Sequence, residues 1–260
     1  MERQNNPEQG QKNRTVVFFD IDNTLYAGEE GFTILPFAKF LLEKELLSED
    51  VLNMMLDDKA KYDKSPKASE DYNRFAENIV SHFYAGLESR STDDVSSAGK
   101  EFLAQYQKGL MPFAQELVEE MKKQGEIIVV SGAPMEAFIP LAEILGIEEK
   151  NLHLLEGIVL NGQYTGQIKV NMALEDKKRK VVQQISGAGI DSSDSFAFGD
   201  SSGDIPILEA VSNPFVVDPK DEFRKTAVGK GWSIVSKDNI LIEVRNRMVL
   251  LRAQNRQKLP

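Results

Sequence analysis

The chain of 260 residues contains no cysteine and only two histidines, His82 and His153. The absence of cysteine excludes disulfide bonds, thiolate catalysis and cysteine-ligated zinc. Two histidines are also too few for a histidine-rich metal centre. We therefore expect any chemistry of this chain to use carboxylates, hydroxyls and lysines.

Long apolar runs are absent as well. No stretch approaches the roughly 20 apolar residues that span a bilayer, and residues 1–14 lack the apolar centre of a signal peptide. The net charge of −10 argues against nucleic-acid binding, which requires a basic face. The composition is that of an ordinary globular protein, and we expect a cytoplasmic protein with no integral membrane part.

A short apolar run at residues 16–19 leads directly into Asp20 and Asp22. Because the run does not alternate with polar residues, it predicts a strand buried on both faces, as in a parallel sheet. Two carboxylates with a single residue between them repel each other and are usually stabilised by a cation or a shared proton. The end of this strand is therefore our candidate active site.

The rest of the chain divides into a helical block and an alternating block. Residues 26–110 carry four successive helical patterns, which predict a small bundle. Beyond them, apolar runs at 127–130, 196–198 and 215–217 alternate with helical patterns, and Asn161-Gly162 predicts a hairpin turn. This order predicts a parallel sheet flanked by helices, with the helical block inserted after the first strand.

The predicted fold is therefore α/β, with a core sheet and an inserted helical unit. We assign residues 14–25 and 111–236 to the core and residues 26–110 to the insertion. Residues 1–13 are predicted to be a disordered lead, and residues 237–260 a C-terminal helix. The apolar stripe of that helix favours packing on the core, with a homodimer contact or a membrane-surface contact as the alternative.

Polar residues follow three of the predicted strands. These are Asp20 with Asp22, Ser131-Gly132, and Asp200 with Asp204. Ligands of an open parallel sheet bind beyond the carboxyl ends of its strands. Each motif alone is a weak signal, but three motifs at one edge indicate a common site.

In order along the chain, these motifs resemble those of the haloacid dehalogenase (HAD) superfamily of phosphohydrolases. The matching residues are Asp20-Ile21-Asp22-Asn23-Thr24-Leu25, Ser131-Gly132, Lys177 and Gly199-Asp200-Ser201-Ser202-Gly203-Asp204. The helical insertion resembles the C1 cap of the phosphoserine phosphatase-like branch. The resemblance implies a three-layer αβα Rossmann-like core that carries this cap.

The resemblance also implies a reaction, the Mg²⁺-dependent hydrolysis of a phosphomonoester through an aspartyl phosphate. Asp20 would be the nucleophile, and Asp22 would protonate the leaving group and later activate water. Asp20, Asp200 and the backbone carbonyl of Asp22 would bind Mg²⁺. A phosphotransferase on the same site is the alternative, and a phosphate-binding scaffold without turnover is the alternative from another class.

The resemblance implies further that Ser131, Gly132 and Lys177 bind the phosphate. It also implies that Asp204 holds the water molecules bound to the metal and that Thr24 supports the nucleophile. Lys177 is the preferred lysine because it lies 23 residues before Asp200, as in phosphoserine phosphatases. Lys178 and Lys180 remain alternatives.

The substrate implied by the resemblance is a small phosphorylated metabolite. In phosphoserine phosphatases, a glutamate seven residues after the second aspartate contacts the substrate amine, and Glu29 stands at that spacing. The insertion offers Arg74 and Arg90, but neither stands where these enzymes bind the substrate carboxylate. Phosphoserine-like compounds and amino-alcohol phosphates therefore both remain open.

Overall fold

A computed structural model describes residues 14–27, 33–65, 69–105 and 109–257 of the chain. The predicted disordered lead at residues 1–13 lies outside the described residues. Within the described ranges, no helix combines the length and the apolar character that crossing a bilayer requires.

The described residues form one sheet of seven strands. In chain order, these are β1 (Val16–Phe19), β2 (Glu126–Pro134), β3 (Leu152–Leu160), β4 (Gln163–Val170), β5 (Phe196–Gly199), β6 (Asn213–Val217) and β7 (Ser233–Val235). Across the sheet, the order is β4-β3-β2-β1-β5-β6-β7. Neighbouring strands are parallel, except that β3 and β4 are antiparallel.

Strand β1 lies at the centre of the sheet, and all four of its residues are buried. Phe19 pairs with Val129 of β2 on one side and with Phe198 of β5 on the other, where the two phenyl rings stack 4.7 Å apart. Because these three strands are parallel and in register, their carboxyl ends meet at one edge. The polar residues predicted to follow them therefore emerge side by side.

Among the described residues, five helices lie between β1 and β2, and we call the first four the insertion: α1 (Ile34–Glu43), α2 (Glu49–Lys64), α3 (Ser69–Gly86) and α4 (Thr92–Gln105). The remaining helices are α5 (Ala114–Lys122), α6 (Met135–Leu145), α7 (Glu175–Gly187), α8 (Ile205–Glu209), α9 (Asp221–Lys230) and α10 (Ile240–Gln257). Helices α5 and α6 pack on β2, and α8 packs on β5, β6 and α7. This arrangement confirms the predicted Rossmann-like α/β class.

Local sequence explains where the insertion helices begin and which face they bury. The Ser48 hydroxyl accepts a hydrogen bond from the backbone N–H of Val51 (3.4 Å), which caps α2, and the acidic residues Glu49 and Asp50 favour its first turn. Helix α3 buries a stripe of apolar residues at helical spacing, among them Phe75, Ile79, Val80 and Phe83.

The hairpin of β3 and β4 turns at Asn161-Gly162, as predicted. Both residues have positive φ angles, 50° and 76°, which are the conformations that a two-residue hairpin turn requires. Strand β4 packs along α3 of the insertion. The hairpin therefore links the edge of the core sheet to the insertion.

Helix α10 packs on the core through Ile240, Val244 and Met248. On its exposed side, the Arg245 guanidinium contacts two glutamates of α5, Glu116 (2.5 Å) and Glu120. The expectation that this helix packs on the core is confirmed, whereas a homodimer contact through it stays a prediction.

Candidate active site

Three carboxylates meet at the carboxyl edge of the sheet. Asp20 follows β1, Asp200 follows β5, and Asp204 ends the 3-10 turn that precedes α8. One carboxylate oxygen from each residue lies within 4.8 Å of the other two. Asp20 and Asp204 are only 4% and 0% exposed, so water screens their mutual repulsion poorly. The cluster therefore requires positive charge nearby.

Lys178 brings positive charge into this cluster. Its Nζ lies 3.2 Å from Asp20 Oδ1 and 2.9 Å from Asp204 Oδ1, and the residue is 4% exposed. Burial by itself lowers the pKa of the Lys178 ammonium, but the carboxylates of Asp204 and Asp20 outweigh it and raise the pKa above its ordinary value. Lys178 therefore stays charged at neutral pH.

This geometry corrects the sequence-based choice of Lys177. The Nζ atoms of Lys177 and Lys180 lie 3.7 and 3.9 Å from Asp176, on the exposed side of α7. Successive helical residues are rotated by about 100°, so Lys178 points inward while both neighbouring lysines face solvent. Buried Val182 lies one turn after Lys178, and this i, i+4 pattern is the sequence signal that selects Lys178.

The carboxylate of Asp204 is surrounded by hydrogen-bond donors. Its Oδ2 accepts bonds from the backbone N–H groups of Asp200 (3.0 Å) and Ser201 (3.1 Å) and from the Ser201 hydroxyl (3.1 Å). A Cβ atom on Gly199 would lie 2.5 Å from the Asp204 Cβ, so this approach requires glycine. Because Oδ2 of Asp204 accepts these bonds and its Oδ1 contacts Lys178, both of its oxygens are engaged. Asp20, which contacts Lys178 through Oδ1, and Asp200 are the more available ligands for a cation.

Asp22 is held by Thr33, the residue that precedes the first helix of the insertion. Its Oδ1 accepts hydrogen bonds from the backbone N–H (3.3 Å) and the hydroxyl of Thr33, which precedes α1. The chain turns between them at Asn23, whose φ is 59°. Burial raises the pKa of Asp22 to about 6, although the bonds from Thr33 lower it. The proton of Asp22 is therefore exchangeable near neutral pH.

A cation fits the chemistry of these donors. Burial, followed by the charge of Asp204, raises the pKa of Asp20 well above its ordinary value and that of Asp200 to about 8. A divalent cation would oppose this repulsion and favour the ionised carboxylates. Carboxylate oxygens are also the ligands that hard cations such as Mg²⁺ prefer.

Two buried hydroxyls, those of Ser131 and Thr24, have no hydrogen-bond partner among the described residues. Ser131 lies on β2, the strand beside β1, and the next residue, Gly132, packs so closely on Ala173 that a Cβ atom would lie 3.1 Å from the Ala173 Cα. An unpaired buried hydroxyl is costly. The Ser131 hydroxyl can therefore donate to a ligand without breaking an existing bond.

A sequence profile of the haloacid dehalogenase-like hydrolases matches residues 17–209. The chain belongs to this family. Over 124 residues it is 29% identical to the "Inhibition of morphological differentiation protein" of Streptomyces azureus, which covers 47% of this chain and 44% of that protein. This HAD-family chain thus spans less than half the length of that relative.

Two further similarities extend over most of this HAD-family chain. It is 24% identical over 229 residues to a protein named histidinol-phosphatase from Neisseria meningitidis, covering 86% of this chain and 99% of that protein. A solved structure described as a phospho-aspartyl intermediate analogue of phosphoserine phosphatase superposes with a TM-score of 0.60 at 21% identity, covering 91% and 99% of the two chains. This structural likeness supports the fold.

The HAD-family fold thus brings Asp20, Asp200 and Asp204 together, with Asp22 and Ser131 at the same edge of the sheet. Glu29, the residue predicted to contact the substrate, lies outside the described residues. Sequence reasoning missed Thr33, whose bonds to Asp22 depend on how the insertion folds back.

Sequence reasoning also missed the role of Tyr72 on α3. Burial is the main cause that raises the pKa of the Tyr72 hydroxyl, and Lys178 and two cluster carboxylates act on it as well. The Tyr72 hydroxyl is thus within electrostatic range of the charged cluster of this HAD-family site. Tyr72 also contacts Tyr62 and Phe75, with ring centroids 6.0 and 6.5 Å away. Helices α2 and α3 of the insertion thus share a cluster of aromatic rings.

Proposed function

We propose that this chain is a Mg²⁺-dependent phosphomonoester hydrolase that acts on a small phosphorylated metabolite. The observation that carries the proposal is the buried Lys178 ammonium between Asp20 and Asp204, at the sheet edge that also presents the unpaired Ser131 hydroxyl. A phosphate ester is anionic and accepts hydrogen bonds, so it suits these donors. Two similar proteins are named as phosphatases, which supports the same reaction.

The proposed reaction has two displacements. First, an Asp20 oxygen bonds to phosphorus, the P–O bond of the ester breaks, and Asp22 gives its proton to the departing alkoxide. Then Asp22 takes a proton from water, the water oxygen bonds to phosphorus, and the bond to Asp20 breaks, which releases phosphate. Thr33 holds the Asp22 carboxylate for this role.

The other groups of the site bind the phosphoryl oxygens or hold the metal. Lys178 and Ser131 donate to the phosphoryl oxygens, where negative charge is concentrated. The carboxylates of Asp20 and Asp200, with the backbone carbonyl of Asp22, would hold Mg²⁺, which supplies the charge that lets an anionic ester approach these acids. Asp204 would act indirectly, because its Oδ2 already accepts bonds that shape the turn after β5 and its Oδ1 accepts a bond from Lys178.

We further propose that the insertion, residues 26–110, is a cap that selects an amino-alcohol phosphate or a phosphoserine-like ester. Tyr72 supports this role because Lys178, Asp204 and Asp20 of the site act electrostatically on its hydroxyl. Arg74 is exposed, 3.8 Å from Asp71, which makes it poorly placed to bind a substrate carboxylate. The names of two similar proteins imply phosphoserine and histidinol phosphate as their substrates. Both compounds carry an amino group on the carbon next to the one that bears the phosphate ester. Glu29 remains the proposed partner of that amine.

The test is hydrolysis of a panel of phosphomonoesters that includes phosphoserine, histidinol phosphate, phosphocholine and phosphoethanolamine. The parent chain is compared with Asp20→Asn, with and without Mg²⁺. Asp176→Asn is the matched control, because Asp176 is an exposed acid on α7. We expect the parent and the control to release phosphate only with Mg²⁺, and Asp20→Asn to be inactive.

Phosphate release by Asp20→Asn at the parent rate would overturn the proposed nucleophile. If the parent chain hydrolyses none of the esters and binds no beryllofluoride complex, the proposal that it is an enzyme is overturned. Transfer of the phosphoryl group to an added alcohol in preference to water would replace hydrolysis with phosphotransfer.

A further inference from the structure

Glu136 is a buried carboxyl that the proposed reaction does not use. It lies in the first turn of α6 and is 9% exposed. Its Oε1 accepts a hydrogen bond from the Tyr164 hydroxyl (2.9 Å) and its Oε2 accepts one from the Tyr84 hydroxyl (3.4 Å). The groups that act on it are thus its own backbone N–H, Tyr84 of α3, Tyr164 of β4 and, at longer range, Glu156 of β3. None of these groups carries positive charge.

Burying the carboxyl of Glu136 without a positive charge nearby costs free energy. Burial raises the pKa of Glu136 to about 7, although hydrogen bonds from its own backbone N–H, from Tyr164 and from Tyr84 lower it. An apolar side chain would avoid this cost, but it would leave two buried hydroxyls without a partner. The contribution of Glu136 therefore lies in the connection that it makes and not in filling space.

The connection joins three parts of the molecule: the insertion, the hairpin and the core helix α6. Backbone hydrogen bonds reinforce it. Ser89 N–H donates to the Tyr164 carbonyl (2.8 Å), Tyr164 N–H donates to the Arg90 carbonyl (3.0 Å), and Thr92 N–H donates to the Gly162 carbonyl (2.9 Å). The junction of α3 and α4 is thus bonded to the tip of the hairpin.

Helix α4 meets the same point from another direction. It packs on α6 so closely that a Cβ atom on Gly99 would lie 1.9 Å from the carbonyl oxygen of Glu136. Helix α2, by contrast, packs mainly on α1 and α3 of the insertion. The insertion is therefore fastened to the core at its α3–α4 end, and much less at its α2 end.

We propose that Glu136 is a positioning residue, which holds the α3–α4 end of the insertion and the hairpin on α6, the helix that follows the Ser131-Gly132 end of β2. The phosphate-binding residues and the fastened end of the insertion then keep one relative position, and substrate enters by movement of the α2 end. For its effect on turnover, this proposal rests on the proposed hydrolase function; the connection itself does not.

The first measurement is amide hydrogen exchange of the full chain in residues 82–92 and 160–166, which needs no substrate. Tyr164→Phe and the double variant Tyr84→Phe/Tyr164→Phe remove the hydroxyls and preserve the rings. Since a hydrogen bond to a charged group is worth about tenfold or more in an opening equilibrium, we expect exchange in both segments to rise about tenfold in the double variant. Glu143→Gln, an exposed change on the same helix, is the control and should leave exchange unchanged.

The second measurement is kinetic, on the best ester of the panel. We expect Glu136→Leu to lower kcat/KM about tenfold and Glu136→Gln to restore most of this loss, because the amide can still accept a hydroxyl hydrogen bond. Should Glu136→Leu fail to fold, Tyr164→Phe serves in its place, with a smaller loss in the same direction.

Unchanged exchange in both segments of the double variant would overturn the connection, whether or not the chain hydrolyses any ester. Faster exchange with kcat/KM at the parent value would leave a purely structural link and overturn the positioning role. An inert parent enzyme would instead reject the proposed function, while the exchange result would still decide whether the connection exists.

Discussion

Replacing Glu136 with glutamine is expected to change how stability depends on pH. Glutamine preserves the shape of the side chain but binds no proton. In the folded chain, burial raises the pKa of Glu136 from its ordinary value of 4.5 to about 7. Between these values, the folded protein holds a proton that the unfolded chain has released, so stability is lost as pH rises through this window.

The magnitude follows from the two pKa values. At about 1.4 kcal/mol per pH unit, the whole window corresponds to about 3 kcal/mol. About 2 kcal/mol of this total falls between pH 5.5 and pH 8, the interval that we would use. The tyrosines that face Glu136 do not titrate there, because the pKa values of Tyr84 and Tyr164 are raised above 10.

The assay is urea unfolding of the parent and of Glu136→Gln at both pH values. The free energy of unfolding of the variant, relative to the parent, should rise by about 2 kcal/mol from pH 5.5 to pH 8. Titration of the active-site carboxylates occurs in both proteins and cancels in this difference. A difference that is flat across the interval would refute the raised pKa of Glu136.

Lys178→Met should lower turnover about a hundredfold or more, as loss of a donor to developing charge does, whereas Lys177→Met should stay within about twofold; equal losses in steady-state assays would contradict the assignment of Lys178. Gly99→Ala should lower the free energy of unfolding by about 1–3 kcal/mol, because its Cβ would overlap the Glu136 carbonyl oxygen. Gly187→Ala, whose Cβ meets nothing within 4 Å, should be neutral or stabilise by up to about 1 kcal/mol in the same urea assay.

The central strands could be predicted from sequence because they are apolar on both faces. Residues 16–19 and 196–198 form strands as predicted, and the structure pairs them side by side. Strand β7 was missed because three residues, Ser233–Val235, form too short a run to distinguish from a loop. Strand β3 begins at Leu152. The first part of this strand could not be predicted because His153 and Glu156 interrupt its apolar pattern.

The candidate site was predictable where its residues follow strands directly. Asp20 and Asp200 depend only on where β1 and β5 end. The choice between Lys177 and Lys178 instead depends on the rotation of a helix, which spacing to a distant motif cannot determine. Thr33 and Glu136 find their partners through the packing of the insertion against the core. Such contacts have no local sequence signal.

The bonds between the hairpin and the insertion also bear on solubility. Strand β4 lies at one edge of the sheet, and an open edge can pair with a strand of another molecule and begin aggregation. At Tyr164, both outward backbone groups of β4 are already bonded to Ser89 and Arg90. At the opposite edge, β7 has only three residues. The loop between α3 and α4 therefore protects the longer edge of the sheet, and variants that loosen this loop should aggregate more readily as well as exchange faster.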